Sequence, residues 1–186
     1  MVRKKIFKGA EIVKLGVKKD EVKLVDYTPE WNEELNRVKS NINLNIEENR
    51  IEHIGSTAIK DMSAKPILDI IVGIDDIQNV DEAVFSGLKN LGFLRLRVER
   101  PNEIILAKFT DKTYEEKTHY IHLVEFHNEL WDNLTFFRDY LNHNEDARKE
   151  YLEVKLEYLK NSTTGVNEYT DYKEEFVKKI IKKRTS

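Results

Sequence analysis

The segment EHIGSTAIKDMSAKPILDIIVGI, residues 52–74, places a single acid, Asp69, inside the most apolar run of the chain. The run ILDIIVGI (67–74) is apolar at both alternating sets of positions, which predicts a central strand buried on both faces. A lone ionised carboxylate in such a strand is costly unless it is paired or binds a metal. Asp69 therefore needs a partner.

A Gly-Ser-Thr turn at 55–57 precedes this strand, and Lys65 stands directly before Pro66. The N–H groups and hydroxyls of such a turn form a suitable cradle for phosphate oxygens. Proline biases Lys65 to extended geometry, so Lys65 and Asp69 are expected to share a face. An ammonium and a carboxylate in one cleft suggest a binding site, while a structural bridge from Asp69 to Lys65 or Arg50 is the open alternative.

The remaining pattern predicts a mixed sheet followed by helices. The predicted strands are 22–27, 50–54, 67–74, 93–99, 103–109 and 119–126. The predicted helices are one from Thr28-Pro29 to about Leu44, one capped by Asp75-Asp76 and ending at Gly92, and three covering about 129–142, 145–160 and 167–183. This order predicts one α+β domain over 21–186, with residues 1–20 as a loosely attached extension.

Composition excludes several classes of protein. The 186 residues carry 31 basic and 34 acidic side chains, so no global field attracts nucleic acid and any polyanion site must be local. There is no cysteine, which excludes disulfides, thiolate zinc sites and cysteine nucleophiles. The seven glycines cannot be arranged into a P-loop or a dinucleotide-binding pattern. With no signal peptide or membrane span visible, we expect a cytoplasmic protein without DNA, RNA or membrane partners.

Longer motifs carry a family resemblance. They are YTPEW (27–31), IEHIGSTAI (51–59), AKPILDIIV (64–72), HLV (122–124), FRDYLNHNEDARKEYLEVK (137–155) and YTDYKEEFV (169–177). Together they resemble the GrpB family (UPF0157), whose fold is similar to that of the DNA polymerase β-like nucleotidyltransferases, and the likeness covers about Lys23 to Ile181. It implies a nucleotidyltransferase-like mixed β-sheet with flanking helices and a helical C-terminal third. Lys60-Asp61 replaces a usual Pro-Gly step, which leaves the conformation of the loop over the site open.

The resemblance also implies a catalytic strand on which two acids at alternate positions, with a third on a neighbouring strand, hold two divalent ions. Here Asp69 fills the first position, but Ile71 fills the second, so the two-ion site is incomplete. The third position maps to His122. Asp69 and His122 are expected to hold one divalent ion, Mg²⁺ or Mn²⁺, or to form an acid/base pair. A purely structural Asp–His hydrogen bond is the alternative.

Other residues are expected at the same site. Glu52 and His53 flank the turn, as ligand contacts or as turn stabilisers. The turn residues Gly55, Ser56 and Thr57, with Lys65, are expected to hold phosphate. The resemblance adds Arg138, Lys155 and Lys173 as phosphate ligands and Tyr169 as a ring that stacks on a base. For each of these four, a solvated or salt-bridged surface position is the alternative. His119 is expected on the opposite face of its strand from His122.

The resemblance therefore implies a protein that binds a nucleotide or another phosphorylated small molecule. If it is an enzyme, it would transfer a nucleotidyl group to an unknown acceptor. The alternative is a non-catalytic binding module that has lost the two-metal site. Relatives fused to a dephospho-CoA kinase domain associate such a module with coenzyme A metabolism.

Overall fold

The computed structural model describes residues 14–42 and 46–184. Its strands are β1 (Val17–Lys18), β2 (Ile51–Ile54), β3 (Leu68–Ile74), β4 (Leu94–Arg95), β5 (Glu103–Phe109) and β6 (Glu116–Glu125). Its α-helices are α1 (Glu30–Asn41), α2 (Glu82–Asn90), α3 (Glu129–His143), α4 (Glu145–Asn161) and α5 (Val166–Ile181). The predicted mixed sheet with flanking helices and a helical C-terminal third is confirmed.

The sheet has the order β2-β3-β6-β5-β4, with β1 added along β6. β3 and β6 run parallel, whereas the other pairs are antiparallel. β3 is therefore an inner strand, as its apolar run predicted.

The two faces of β3 contact different helices. Leu68, Ile70 and Val72 pack with apolar residues of α1 and α2 in one core cluster. Ile71 faces the other way and packs against Trp131 at the start of α3. Asp69, two residues before Ile71, points to this second face, which also bears the helical third.

The helical third has a core of its own. Phe137 and Leu141 of α3, Tyr151 of α4 and Phe176 of α5 are all buried in it. The loop after β2 contributes Ile59 to the same cluster, where it is completely buried. This packing holds the helical third against the loop between β2 and β3.

Two predicted strands differ from the structure. Residues 22–27 make an isolated bridge from Val25 to Ala64 and do not join the sheet. The strand predicted at 93–99 is reduced to Leu94–Arg95, because it lies at the sheet edge and pairs with β5 alone. Alternating hydrophobicity therefore did not predict ladder pairing in either segment.

Two predicted helix starts also differ. α1 begins at Glu30 with Pro29 in the N-cap position, one residue later than predicted, and Thr28 contributes its backbone carbonyl. α2 begins at Glu82 because the Asp76 carboxylate accepts the N–H groups of Gln78 and Asn79 in a turn.

The predicted ends of the chain fall partly outside the described residues. Residues 43–44 of the first predicted helix, residues 1–13 of the extension and residues 185–186 of the domain lie there. Among the described residues, α1 ends at Asn41 and Ile42 is extended, so this helix is shorter than predicted. Within the described part, Val17 is buried and pairs with Lys117, so attachment to the sheet begins before residue 20. No helix among the described residues has the length and apolar character needed to cross a membrane.

Candidate functional site

The glycine turn lies directly against Asp69. Antiparallel pairing of β2 and β3 places Ile54 opposite Asp69, and Gly55 follows with φ of 70°. A Cβ atom at Gly55 would lie 2.5 Å from Oδ2 of Asp69, so both the positive φ and the close approach require glycine. The Asp69 side chain remains 32% exposed, so the carboxylate is accessible to water beneath the turn.

His122 of β6 is the nearest partner of this carboxylate. Its Nε2 lies 3.5 Å from Oδ1 of Asp69, and its Nδ1 lies 2.5 Å from Oε1 of Glu103 on β5. Burial disfavours a charged imidazole, but the two carboxylates outweigh burial and raise the pKa of His122 to about 9. His122 is therefore an imidazolium at neutral pH, held between two acids.

Glu103 was missed in the sequence analysis. Its side chain is 5% exposed and also accepts a hydrogen bond from Arg100. Burial raises the pKa of the Glu103 carboxyl, but His122 and Arg100 outweigh burial and lower it overall. The available signal was an acid at the first position of an apolar strand. Only the pairing of β5 with β6 reveals that it faces His122.

Two of the predicted phosphate ligands, Lys65 and Lys173, meet on the ring of Tyr169. The Nζ atoms of Lys65 and Lys173 lie 5.5 Å and 4.0 Å from its centroid. Burial lowers the pKa of Lys65, and the Asp69 charge partly opposes that shift. Burial lowers the pKa of Lys173 to about 7, Lys65 adds to the shift and Asp69 opposes it. Both ammonium groups therefore lie within the electrostatic range of Asp69.

Tyr169 itself is buried, with 1% exposure, so it cannot present a free face to a nucleobase. Its predicted stacking role does not fit this position. The ring supports the two lysines instead and packs edge-on against Tyr158.

Lys155 lies deeper. It is completely buried, and its Nζ donates a hydrogen bond of 2.5 Å to the carbonyl oxygen of Ser63. Burial, followed by the charge of Lys173, lowers the pKa of Lys155 to about 7. We assign Lys155 a supporting position behind the turn rather than direct contact with solvent or ligand.

Ser56 is half-buried at the turn, near the Tyr151 side chain of α4. Thr57 is buried, and its hydroxyl bonds with Nε2 of His53 at 2.9 Å and with the carbonyl of Ile67 at 3.3 Å. The turn therefore offers its backbone and Ser56 to a ligand. The predicted phosphate contact through the Thr57 hydroxyl does not fit, since this hydroxyl is engaged inside the protein.

Glu52 and His53 point to opposite faces of β2. The side chain of His53 contacts Asn32 of α1, and burial lowers its pKa to about 4, so it is neutral. Glu52 accepts a 2.6 Å hydrogen bond from Arg138 of α3, which also donates to the His53 carbonyl. Arg138 thus fastens α3 to β2 through paired charges, and its predicted contact with phosphate does not fit this engagement.

The loop that departs from the usual Pro-Gly step is well anchored. Asp61 has φ of 59°, the left-handed region that glycine would adopt easily. The side chain of Asn142 accepts from the Lys60 N–H and donates to the Ala58 carbonyl. Asp61 therefore takes the left-handed conformation, and α3 holds this loop in place.

The opposite face of β6 has a separate histidine. His119 is buried against Glu34 of α1, and burial with the charges of Lys108 and Arg37 lowers its pKa to about 4. Its position away from His122 confirms the predicted separation of the two rings. Arg50 pairs with Asp75 at 2.5 Å, so it is not the partner of Asp69.

The donor set does not fit the two-ion clamp of nucleotidyltransferases. Ile71 at the second acid position is completely buried. His122 offers a metal no lone pair while both of its nitrogens are protonated. Across residues 14–42 and 46–184, no three His, Asp or Glu side chains are grouped so that they could hold a metal ion. A single Mg²⁺ or Mn²⁺ ion on Asp69 and His122 stays a prediction.

Two cavities lie away from Asp69. One of about 450 Å³ is lined by residues that include Phe85, Arg95, Val98 and Arg100. Another of about 290 Å³ lies between α1 and the sheet, beside Arg37 and Lys108. Neither is lined by Asp69 or the turn, so the candidate site is reached through the exposed part of the Asp69 side chain and not through either cavity.

Comparison with known proteins agrees with the fold. The family described as "GrpB protein" matches residues 21–183. The chain is 38% identical over 170 residues to the glutamate-rich protein GrpB of Alkalihalophilus pseudofirmus, covering 90% of this chain and 98% of that protein.

The crystal structure of conserved protein GrpB from Enterococcus faecalis has a TM-score of 0.73 and 26% identity, over 87% of this chain and 96% of that one. A dephospho-CoA kinase of Mycolicibacterium paratuberculosis is 26% identical over 176 residues, covering 82% of this chain but 43% of that protein. The family match and the first relative span nearly the whole domain. The chain therefore belongs to the GrpB family.

Proposed function

We propose that the protein binds the phosphate groups of a nucleotide or another phosphorylated small molecule in the hollow around Asp69. The observation that carries this proposal is the excess of cations there. Lys65, Lys173 and the His122 imidazolium stand against the carboxylates of Asp69 and Glu103. Ammonium groups short of counter-charge are stabilised by an anion.

The turn adds a second, independent argument. Backbone N–H groups at a glycine turn bind phosphate oxygens, and the Ser56 hydroxyl is half-exposed beside them. The 3₁₀-helical turn Ser56–Ala58 begins at Gly55, directly above Asp69. A phosphate between this turn and the lysines would contact both.

A non-catalytic binding module is the second candidate. Ile71 packs against Ile54, Val124 and Trp131, so the second metal-binding acid is replaced by part of the core. The kinship with nucleotidyltransferases favours transfer of a nucleotidyl group, whereas this packed isoleucine favours binding without transfer. The partial match to a dephospho-CoA kinase makes coenzyme A precursors reasonable ligands to test.

A thermal-shift screen tests the proposal. Nucleoside triphosphates, dephospho-CoA and phosphopantetheine are each added with and without Mg²⁺. A ligand at a hundred times its Kd stabilises the folded state by about 2.7 kcal/mol. For a chain of this size each kcal/mol raises Tm by roughly 2–4 °C. The control is Lys65→Met, which should reduce the shift for a true ligand by about half or more, because a tenfold weaker affinity leaves about 1.4 kcal/mol at the same ligand concentration. If none of these compounds raises Tm, the hypothesis of nucleotide binding is wrong.

A further inference from the structure

An apolar side chain, Ile71, occupies the position at which a two-acid transferase carries its second metal-binding acid. Ile71 lies two residues after Asp69 on the same face, and its side chain has 0% exposure. Its neighbours in the core are Ile54, Val124 and Trp131. An acid at 71 would bury an unpaired charge among these residues, so this side of Asp69 is closed to a second carboxylate.

The open side of Asp69 carries cations instead. Lys65 lies four residues before Asp69 on the entry to β3, and Lys173 reaches the same region from α5. Their ammonium groups share the ring of Tyr169, one at 5.5 Å and the other at 4.0 Å from its centroid. Because Tyr169 is buried and packed against Tyr158, this platform holds the two side chains in a defined place.

The third cation is the His122 imidazolium, which Glu103 holds in place from β5. Glu103 holds Nδ1 of His122 at 2.5 Å, which orients Nε2 toward Asp69. Nε2 of His122 lies 3.5 Å from Asp69, a long contact that a phosphate oxygen would replace. Lys65 and Lys173 approach from the ring of Tyr169, within the electrostatic range of Asp69. Asp69 lies among these donors as a balancing charge.

We propose that Lys65, Lys173 and His122 supply the positive charge that divalent ions supply in two-acid transferases, so that the site binds a compact phosphate or polyphosphate group without a metal ion. This inference rests on the proposed function and specifies it further. It makes Asp69 a counter-ion that competes with the ligand, whereas a metal site would need Asp69 as a ligand of the ion.

The two roles of Asp69 predict opposite results for Asp69→Asn, a change that keeps the shape and removes the charge. In a lysine-based site the variant binds the anion severalfold more tightly, because a repelling carboxylate is gone. In a metal-based site the variant loses binding, because the ion has lost its carboxylate.

Calorimetric titration with inorganic tripolyphosphate tests this with the full-length protein. Each titration is run once with EDTA and once with Mg²⁺. We expect binding in EDTA, tighter binding by Asp69→Asn, and a loss of about tenfold or more for Lys65→Met and for Lys173→Met, the range of a charge-assisted hydrogen bond. Lys178→Met on the same helix α5 is the matched control, since Lys178 is 63% exposed and paired with Glu174. It should bind like the wild type.

The outcomes separate the two proposals. Binding that requires Mg²⁺ and disappears in Asp69→Asn would overturn the metal-free site while leaving phosphate binding intact. Absence of binding to tripolyphosphate and to every compound of the thermal-shift screen, with and without Mg²⁺, would overturn both. Circular dichroism of each variant shows whether a lost signal reflects unfolding. If Lys173→Met unfolds, Lys65→Met and Asp69→Asn still decide the question.

Discussion

Nδ1 of His122 lies 2.5 Å from Oε1 of Glu103, across two neighbouring antiparallel strands of the sheet. On the other side of the same ring, Nε2 lies 3.5 Å from Asp69. An imidazole between two carboxylates gains a proton on folding, because both neighbours favour its charged form more strongly than burial opposes it.

Stability should therefore depend on pH through His122. Its folded-state pKa of about 9 lies above the ordinary value of 6.5, so its contribution is complete below pH 6.5 and is lost as the pH rises through about 9. The size of the contribution is on the order of 3 kcal/mol. Urea unfolding of the wild type and of His122→Asn, measured across this range, should give a difference that shrinks as the pH rises. His127→Asn, at an exposed ring, serves as the control, and a difference that does not change with pH would contradict the assignment.

Lys155 should show the opposite dependence. Burial lowers its pKa from 10.5 to about 7, so the unfolded chain binds more protons between those values and stability rises with pH through this window. Lys155→Met removes the effect. The stability of the variant relative to the wild type should thus be greatest below pH 7 and fall toward pH 10.5. A relative stability that rises with pH would refute a buried, proton-deficient amine.

Ligand binding should take up protons if the proposed function is right. An anion beside Lys173 raises the pKa of its ammonium from about 7 back toward 10.5, so a protein titrated just above pH 7 gains protons on binding. Affinity for tripolyphosphate should fall as the pH rises from 7. Calorimetry in two buffers of different ionisation enthalpy measures the uptake, after correction for the probe. Lys173→Met should reduce the number of protons taken up on binding. An uptake equal to that of the wild type would mean that a group other than Lys173 takes up the proton.

Gly55→Ala should be more damaging than Gly92→Ala. Both glycines have positive φ, 70° and 89°, and Gly55 combines it with ψ of −171°, a region that essentially only glycine adopts. A Cβ at Gly55 would also lie 2.5 Å from the Asp69 carboxylate, whereas one at Gly92 would meet Lys108 at an ordinary 3.5 Å. We expect an additional loss of about 1–3 kcal/mol at position 55, measured by denaturant unfolding. Equal losses would mean that the turn can move away from Asp69.

The sequence predicted the elements whose physical cause is local. Strand β5 is a short apolar run between charged residues, and the three C-terminal helices have patterns that repeat at the period of a helix. All four lie close to the predicted bounds. The apolar run of β3 predicted an inner strand. Residues 22–27 alternated equally well but found no ladder partner, because strand pairing depends on what lies beside the segment.

In the candidate site, too, some features followed from the local sequence and others depended on tertiary contacts. The closeness of the turn and Asp69 followed from one short segment, and the opposite orientations of His119 and His122 followed from the period of a strand. Glu103 could not be assigned from its own neighbourhood, because its contact with His122 is set by the register of β5 on β6. Three side chains have groups that could bind a ligand but make contacts inside the folded protein instead: Tyr169, Thr57 and Arg138.

By itself, the amino-acid order determined that one carboxylate enters a buried strand beneath a glycine turn and that no second acid follows it, because alternation and turn chemistry are properties of neighbouring residues. Tertiary structure alone decided which groups surround that carboxylate. The lysines come from an entry loop and helix α5, and the two acids around His122 come from different strands. Burial and register act between segments far apart in the chain, so they exist only once the sheet and the helical third have packed together.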